Sequence, residues 1–110
     1  ESLYEGLRRY QGIPEALLSN AEFMSLLIPM LRADFEVLET YHHVAEAPLN
    51  VPMSAYGGLS DPEIGPDAVV AWSEQTSAGV SVQFFPGDHF FLRTAAKPFL
   101  SVVARELESI

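Results

Sequence analysis

Between residues 3 and 41 the apolar side chains fall mostly three and four positions apart, the period of an α-helix. Beyond residue 48, short apolar runs bounded by Gly and Pro alternate with further helical stretches. Leu3, Leu7 and Tyr10 predict a short amphipathic helix over 3–10, which Gly12 and Pro14 interrupt, and a second short turn follows over 14–18. Ser19-Asn20-Ala21-Glu22 has the form of a capping box, with Ser19 as the cap and Glu22 reaching back to it, and predicts the start of a long helix. Along that helix Phe23, Leu26, Leu27, Met30, Leu31, Phe35, Leu38 and Tyr41 lay an apolar stripe that Met24, Ile28 and Val37 broaden. Pro29 lies inside it, removes one backbone donor and predicts a bend near Ser25. His42 and His43 are expected to close the helix, at the end whose dipole favours cations.

A connector over 44–48 leads to a strand over 49–56, entered through Pro52 and closed by Gly57-Gly58. Gly65-Pro66-Asp67 starts a helix that runs to about Thr76 and carries Trp72 toward the sheet. Val80-Ser81-Val82-Gln83-Phe84-Phe85 reads as the next strand, before the turn at Pro86-Gly87. Phe99, Leu100, Val103, Ala104 and Leu107 describe a closing helix over 97–108. The fold class is therefore α/β: a helical region over 1–47, then a β-α-β-α region over 48–110. A strand-helix-strand unit implies a parallel pair joined by a right-handed crossover. Parallel sheets bury both faces and normally hold more strands, so the sheet is expected to be incomplete without residues outside this chain.

Composition narrows the function classes. Hydrophobic residues make up 48% and charged residues 19% of the 110, the profile of a folding globular chain. The formal charge of −9, from 15 acids against 6 bases, repels a phosphate backbone and argues against nucleic acid as a partner. The absence of cysteine excludes disulfides, thiolate metal sites and a Cys nucleophile. No apolar stretch approaches the ~20 residues of a membrane span, and the start Glu1-Ser2-Leu3-Tyr4-Glu5 lacks the basic flank of a signal peptide. The expectation is a cytoplasmic location without membrane contact. The chain also opens on a helical pattern without an initiator Met, as a part of a longer protein would.

Two residues carry candidate chemistry. Asp61, in Gly57-Gly58-Leu59-Ser60-Asp61-Pro62, and His89, in Gly87-Asp88-His89-Phe90-Phe91-Leu92, each follow a predicted strand. Both would emerge at the carboxyl ends of neighbouring parallel strands, where α/β enzymes place their chemistry. A carboxylate beside an imidazole fixes its tautomer and stabilises the imidazolium formed when it takes a proton. On pattern alone an Asp-Pro turn after a strand is more often structural than catalytic, because Asp caps turns and Pro presets their φ. No Gly-x-Ser-x-Gly nucleophile elbow occurs in the chain, and Ser60 stands before Asp61-Pro62, where an elbow needs a glycine. His42 and His43 lack a third ligand at suitable spacing, so no metal site is expected.

Several linked motifs bear a resemblance: Leu31-Arg32-Ala33-Asp34-Phe35, Leu38-Glu39-Thr40-Tyr41, Gly57-Gly58 with Asp61-Pro62, Trp72 with Thr76, and Phe85-Pro86-Gly87-Asp88-His89-Phe90-Phe91-Leu92. Through nearly its whole length the chain resembles the lid and carboxyl-terminal half of a type II thioesterase. These are the α/β-hydrolases that edit nonribosomal peptide and polyketide synthases. The resemblance implies lid helices followed by the last β-α-β-α of the hydrolase core. It puts the triad acid on Asp61 and the triad base on His89, and leaves the serine to a missing amino-terminal half. It implies hydrolysis of acyl groups from the phosphopantetheine arm of an acyl or peptidyl carrier protein, with no cofactor. It also assigns Met24, Leu27, Met30 and Leu31 to an acyl-binding lid wall, for which Met's adaptable side chain is suited. Phe90 and Phe91 are expected to support the loop of His89. The family often has glycine where this chain has Asp88, so a second carboxylate stands beside the base, although residues adjacent in sequence usually point apart. Two rivals stand beside this reading: a non-catalytic module docking through its apolar helix, and a medium-chain fatty acyl thioesterase.

Overall fold

The computed structural model describes residues 3–10 and 12–110. Glu1, Ser2 and Gln11, with the side chain of Tyr10, lie outside the described residues, and with them the reading of the first two positions and of Tyr10 in the helical stripe. The chain divides into two compact units, residues 1–46 and 47–110.

The first unit is helical: α1 (Leu3–Tyr10), α2 (Glu15–Leu18) and α3 (Ala21–Thr40). Its core joins Leu7, Leu18 and the fully buried Met24, with Phe23, Leu27, Ile28, Leu31 and Phe35 packed against them. The cap of α3 falls one residue later than the sequence pattern suggested. Asn20 has the extended backbone an N-cap requires, and its Oδ1 accepts the Phe23 N–H at 3.0 Å. Ser19 is still helical and closes α2, its hydroxyl donating to the Glu15 carbonyl at 2.9 Å. Helix α3 continues through Pro29 as one element and stops at Thr40. Tyr41 turns to extended backbone, so His42 and His43 lie beyond the helix on exposed, non-helical chain rather than in its last turn. Among the described residues no helix is long and apolar enough to cross a membrane.

The second unit is built on two parallel strands, β1 (Met53–Gly58) and β2 (Val80–Phe85), in register from Met53 opposite Val80 to Gly58 opposite Phe85. The first strand starts and ends later than its apolar run indicated. Pro52 has no N–H for the ladder, and residues 49–52 lie outside the strand, with Leu49 forming an isolated parallel bridge to Thr76. Gly57 and Gly58, expected to end the strand, are buried within it.

Between the strands, α4 (Pro66–Val70) starts at Pro66 as read from the sequence but tightens into a 3₁₀ turn over Ala71–Gln75. Trp72, on that turn, is 56% exposed and lines a shallow groove with Met53, Ser54 and Ala55 of β1. Thr76 is buried, its hydroxyl donating to the Val51 carbonyl and accepting the Ala78 N–H at 3.0 Å. After β2 come a one-turn helix α5 (Phe91–Thr94), absent from the sequence reading, and α6 (Ala96–Glu108).

An aromatic cluster holds this end of the unit together. Phe85 and Phe91 stack with centroids 5.8 Å apart and planes 1° from parallel. Phe99 of α6 meets both edge-on at 5.6 and 5.8 Å, an arrangement that suits the ring quadrupoles. Ala95 and Val102 complete the buried set. Tyr56 packs edge-on to Phe99 at 5.3 Å and donates its hydroxyl to the Glu106 carboxylate, tying β1 to α6. The cluster lies directly beneath the loop that follows β2, and so sets what that loop can do.

Candidate active site

Because the strands are parallel and adjacent, the loops that leave their carboxyl ends emerge side by side. Three contacts then join the loops. Leu59 donates its N–H to the Phe85 carbonyl and Ser60 donates to the Gly87 carbonyl, each at 2.9 Å. Gly58 passes so close beneath the second loop that a Cβ there would stand 2.2 Å from the Asp88 carbonyl oxygen and 2.8 Å from that of Gly87. Only a residue without a side chain permits this approach. Gly87 turns the chain with φ +123°, a conformation L side chains rarely adopt.

Asp61 and His89 face each other across this junction. The Asp61 Oδ2 lies 2.9 Å from the His89 Nδ1, joining residues 28 apart in sequence. The other oxygen, Oδ1, accepts the backbone N–H of Glu63 at 2.8 Å and of Ile64 at 3.1 Å. The two readings of an Asp-Pro turn are therefore both true of Asp61: one oxygen caps the turn and the other holds the imidazole. The Asp61 side chain is 5% exposed and that of His89 is 37% exposed. The base thus opens to solvent while its anchor is sealed.

Burial is the largest single influence on the Asp61 carboxyl and pushes its pKa up, but it is outweighed. The Glu63 N–H, the His89 imidazole and the Ile64 N–H together hold the pKa below the ordinary aspartate value. Asp61 is accordingly a carboxylate at neutral pH, and a carboxylate can only accept. Nδ1 of His89 must then carry the proton it donates to Oδ2, which puts the basic lone pair of the neutral ring on Nε2. A nitrogen base oriented by a buried anion is the arrangement that activates a hydroxyl nucleophile.

The phenylalanines flanking His89 have different duties. Phe91 is buried in the aromatic cluster. Phe90 is half-buried, meeting the His89 ring edge-on at 5.4 Å and carrying the Arg93 guanidinium 5.0 Å from its centroid. Of the apolar quartet singled out on α3, Met24 is fully buried, Leu27 and Leu31 are half-buried in the helical core, and Met30 is 64% exposed. Two features escaped the sequence reading: the close approach beneath Gly58, and the pair of amides holding Oδ1. The Asp-Pro turn signalled the second; nothing local signalled the first, because it depends on a loop some 30 residues away.

The description "thioesterase domain" fits residues 1–109 of the chain as a family match. The gramicidin S biosynthesis protein GrsT of Aneurinibacillus migulanus is 37% identical over 110 residues, which are 100% of this chain and 43% of GrsT. Among solved structures, ClbQ from the colibactin NRPS/PKS pathway superposes with a TM-score of 0.83 at 27% identity, over 96% of this chain and 45% of its own. The type II thioesterase BorB from the borrelidin biosynthetic cluster does so with a TM-score of 0.79 at 30% identity, over 96% of this chain and 43% of its own. The chain thus spans less than half the length of these relatives, and over that part it has their α/β architecture. A family match over nearly every residue, and a backbone shared with a type II thioesterase, lead to one assignment: the chain belongs to the thioesterase domain family.

Proposed function

We propose that this chain supplies the acid and the base of a Ser-His-Asp thioester hydrolase acting on acyl groups carried by the phosphopantetheine arm of carrier proteins. The observation that carries the proposal is the 2.9 Å contact between Asp61 Oδ2 and His89 Nδ1 at the carboxyl ends of two parallel strands. Membership of the thioesterase family supplies the reaction class, and relatives from gramicidin S and colibactin biosynthesis support a carrier-bound substrate.

In this reading Nε2 of His89 takes the proton of a serine hydroxyl as its oxygen attacks the thioester carbonyl. Asp61 stabilises the imidazolium that results. Collapse of the tetrahedral intermediate breaks the carbon–sulfur bond, and His89 returns the proton to the departing thiolate, leaving an acyl-serine. Water, deprotonated by the same nitrogen, then releases the acid and restores the serine. The chain has no Gly-x-Ser-x-Gly, so the nucleophile is assigned to residues outside it. Met24, Leu27, Met30 and Leu31 remain the proposed substrate-binding set of the helical unit; Met30 is exposed, whereas Met24 is buried and Leu27 and Leu31 are half-buried in the helical core.

The test is hydrolysis of acyl-carrier substrates by the intact protein and by its His89→Ala variant. The variant should lose at least about a thousandfold in kcat. Turnover close to wild type would sink the assignment. A second reading, a module that docks a partner through α3, draws on the exposed Leu26, Met30, Val37 and Tyr41. It requires carrier binding without any hydrolysis by the intact protein, which the same assay reports.

A further inference from the structure

Asp88 places a carboxylate directly before the base, where it could compete with Asp61 or act on the imidazole through its charge. Its geometry serves another purpose. Oδ1 of Asp88 accepts the Phe90 N–H at 2.7 Å, and its carbonyl accepts the Phe91 N–H at 3.2 Å. The first bond is an Asx turn, in which a side chain stands in for the backbone two residues on. The second closes a turn that leads into α5. His89 is the residue enclosed by both, so the two bonds together restrict its backbone. The loop is anchored on its other side by the Ser60 N–H on the Gly87 carbonyl and by the bare backbone of Gly58 under the Asp88 carbonyl.

We propose that Asp88 is a positioning residue: through the acceptor oxygen of its Asx turn, and not through its charge, it holds the His89 backbone so that Nδ1 meets Asp61. The kinetic arm of the test rests on the thioesterase reading; the spectroscopic arm does not. Two substitutions separate acceptor from charge. Asp88→Asn keeps an oxygen at the same position and discards the charge. Asp88→Glu keeps the charge and moves the oxygen one methylene too far for the turn.

In the intact protein Asp88→Asn should stay within about twofold of wild type in kcat, and Asp88→Glu should lose about tenfold in kcat with KM within about twofold, because a misplaced base costs the chemical step and not binding. The His89 Nδ1 proton, read by NMR in histidine-labelled protein, should persist in wild type and Asp88→Asn and be lost to exchange in Asp88→Glu. An Asp88→Glu variant equal to or better than Asp88→Asn overturns the proposal, as does wild-type behaviour in both. Absence of thioester hydrolysis in the wild-type protein would refute the functional reading alone. The Nδ1 proton would still decide the role of Asp88.

Discussion

Replacing Asp61 by Asn changes one atom's chemistry and leaves the shape of the site intact, which makes its consequence calculable. The side-chain oxygen of Asn can keep the Glu63 and Ile64 amides that Oδ1 now accepts at 2.8 and 3.1 Å. The group facing His89 Nδ1, now an acceptor at 2.9 Å, becomes an NH₂ donor. Two donors cannot share that contact, so the imidazole must shift its proton to Nε2, the nitrogen that in the proposed mechanism receives the nucleophile's proton. The equivalent change in a Ser-His-Asp enzyme lowers kcat by about 10⁴, or roughly 5.5 kcal/mol at about 1.36 kcal/mol per tenfold. Stability should fall by less than about 1 kcal/mol, since the turn keeps its acceptor. Asp61→Ala should be equally inactive but less stable, by a further ~1–3 kcal/mol, because the half-buried Glu63 amide loses the Asp61 oxygen. The assay is steady-state hydrolysis of an acyl thioester by the intact protein, with urea unfolding of each variant alongside. An Asp61→Asn protein within about tenfold of wild-type kcat would refute the tautomer argument. A loss of activity that merely tracked loss of stability would refute it too.

Gly58→Ala puts a methyl group 2.2 Å from the Asp88 carbonyl oxygen, so the His89 loop must shift by about 1 Å; kcat should fall about a hundredfold, and an unchanged rate would show that the loop yields freely. Phe85→Ala empties the centre of the aromatic cluster and should cost about 3–5 kcal/mol in denaturant unfolding; a loss under about 1 kcal/mol would mean the cluster repacks. Asn20→Ala removes the acceptor for the Phe23 N–H and should destabilise by about 1 kcal/mol, whereas Ser19→Ala should leave α3 capped. The folded Asp61 carboxyl titrates below its unfolded value, so the unfolded state binds more protons between the two, and stability rises with pH there. This contribution is complete above the ordinary aspartate value near ~3.9 and fades as pH falls through the lower folded one; Asp61→Asn should flatten the acid limb of unfolding midpoints against pH.

Local chemistry made much of this protein legible. The 3.6-residue spacing of α3, the punctuation by Gly65-Pro66 and the apolar run at 80–85 specify elements whose periods differ, and the structure has a helix or strand at each. Asp61 and His89 were readable because each follows a strand by a few residues, and parallel strands deliver their loops to one edge. The differences are the missing one-turn helix α5 and several element boundaries. Capping was misplaced by one residue because Ser19 and Asn20 are both good caps, and the choice fell to the backbone conformation left by α2. Gly57-Gly58 read as a strand end because glycine disfavours strands in isolation.

What only the tertiary structure decided is how these pieces meet. Gly58 belongs inside β1 because the Asp88 carbonyl occupies the space a side chain would need, a constraint imposed by the second strand's loop. The same packing turns Asp88 toward the Phe90 amide and leaves His89 to Asp61. The sequence alone determines which groups are available, since side-chain chemistry and local periodicity are properties of neighbours in the chain. That Asp61 Oδ2 faces His89 Nδ1 is settled by a contact between residues 28 apart, which exists only once the strands have paired.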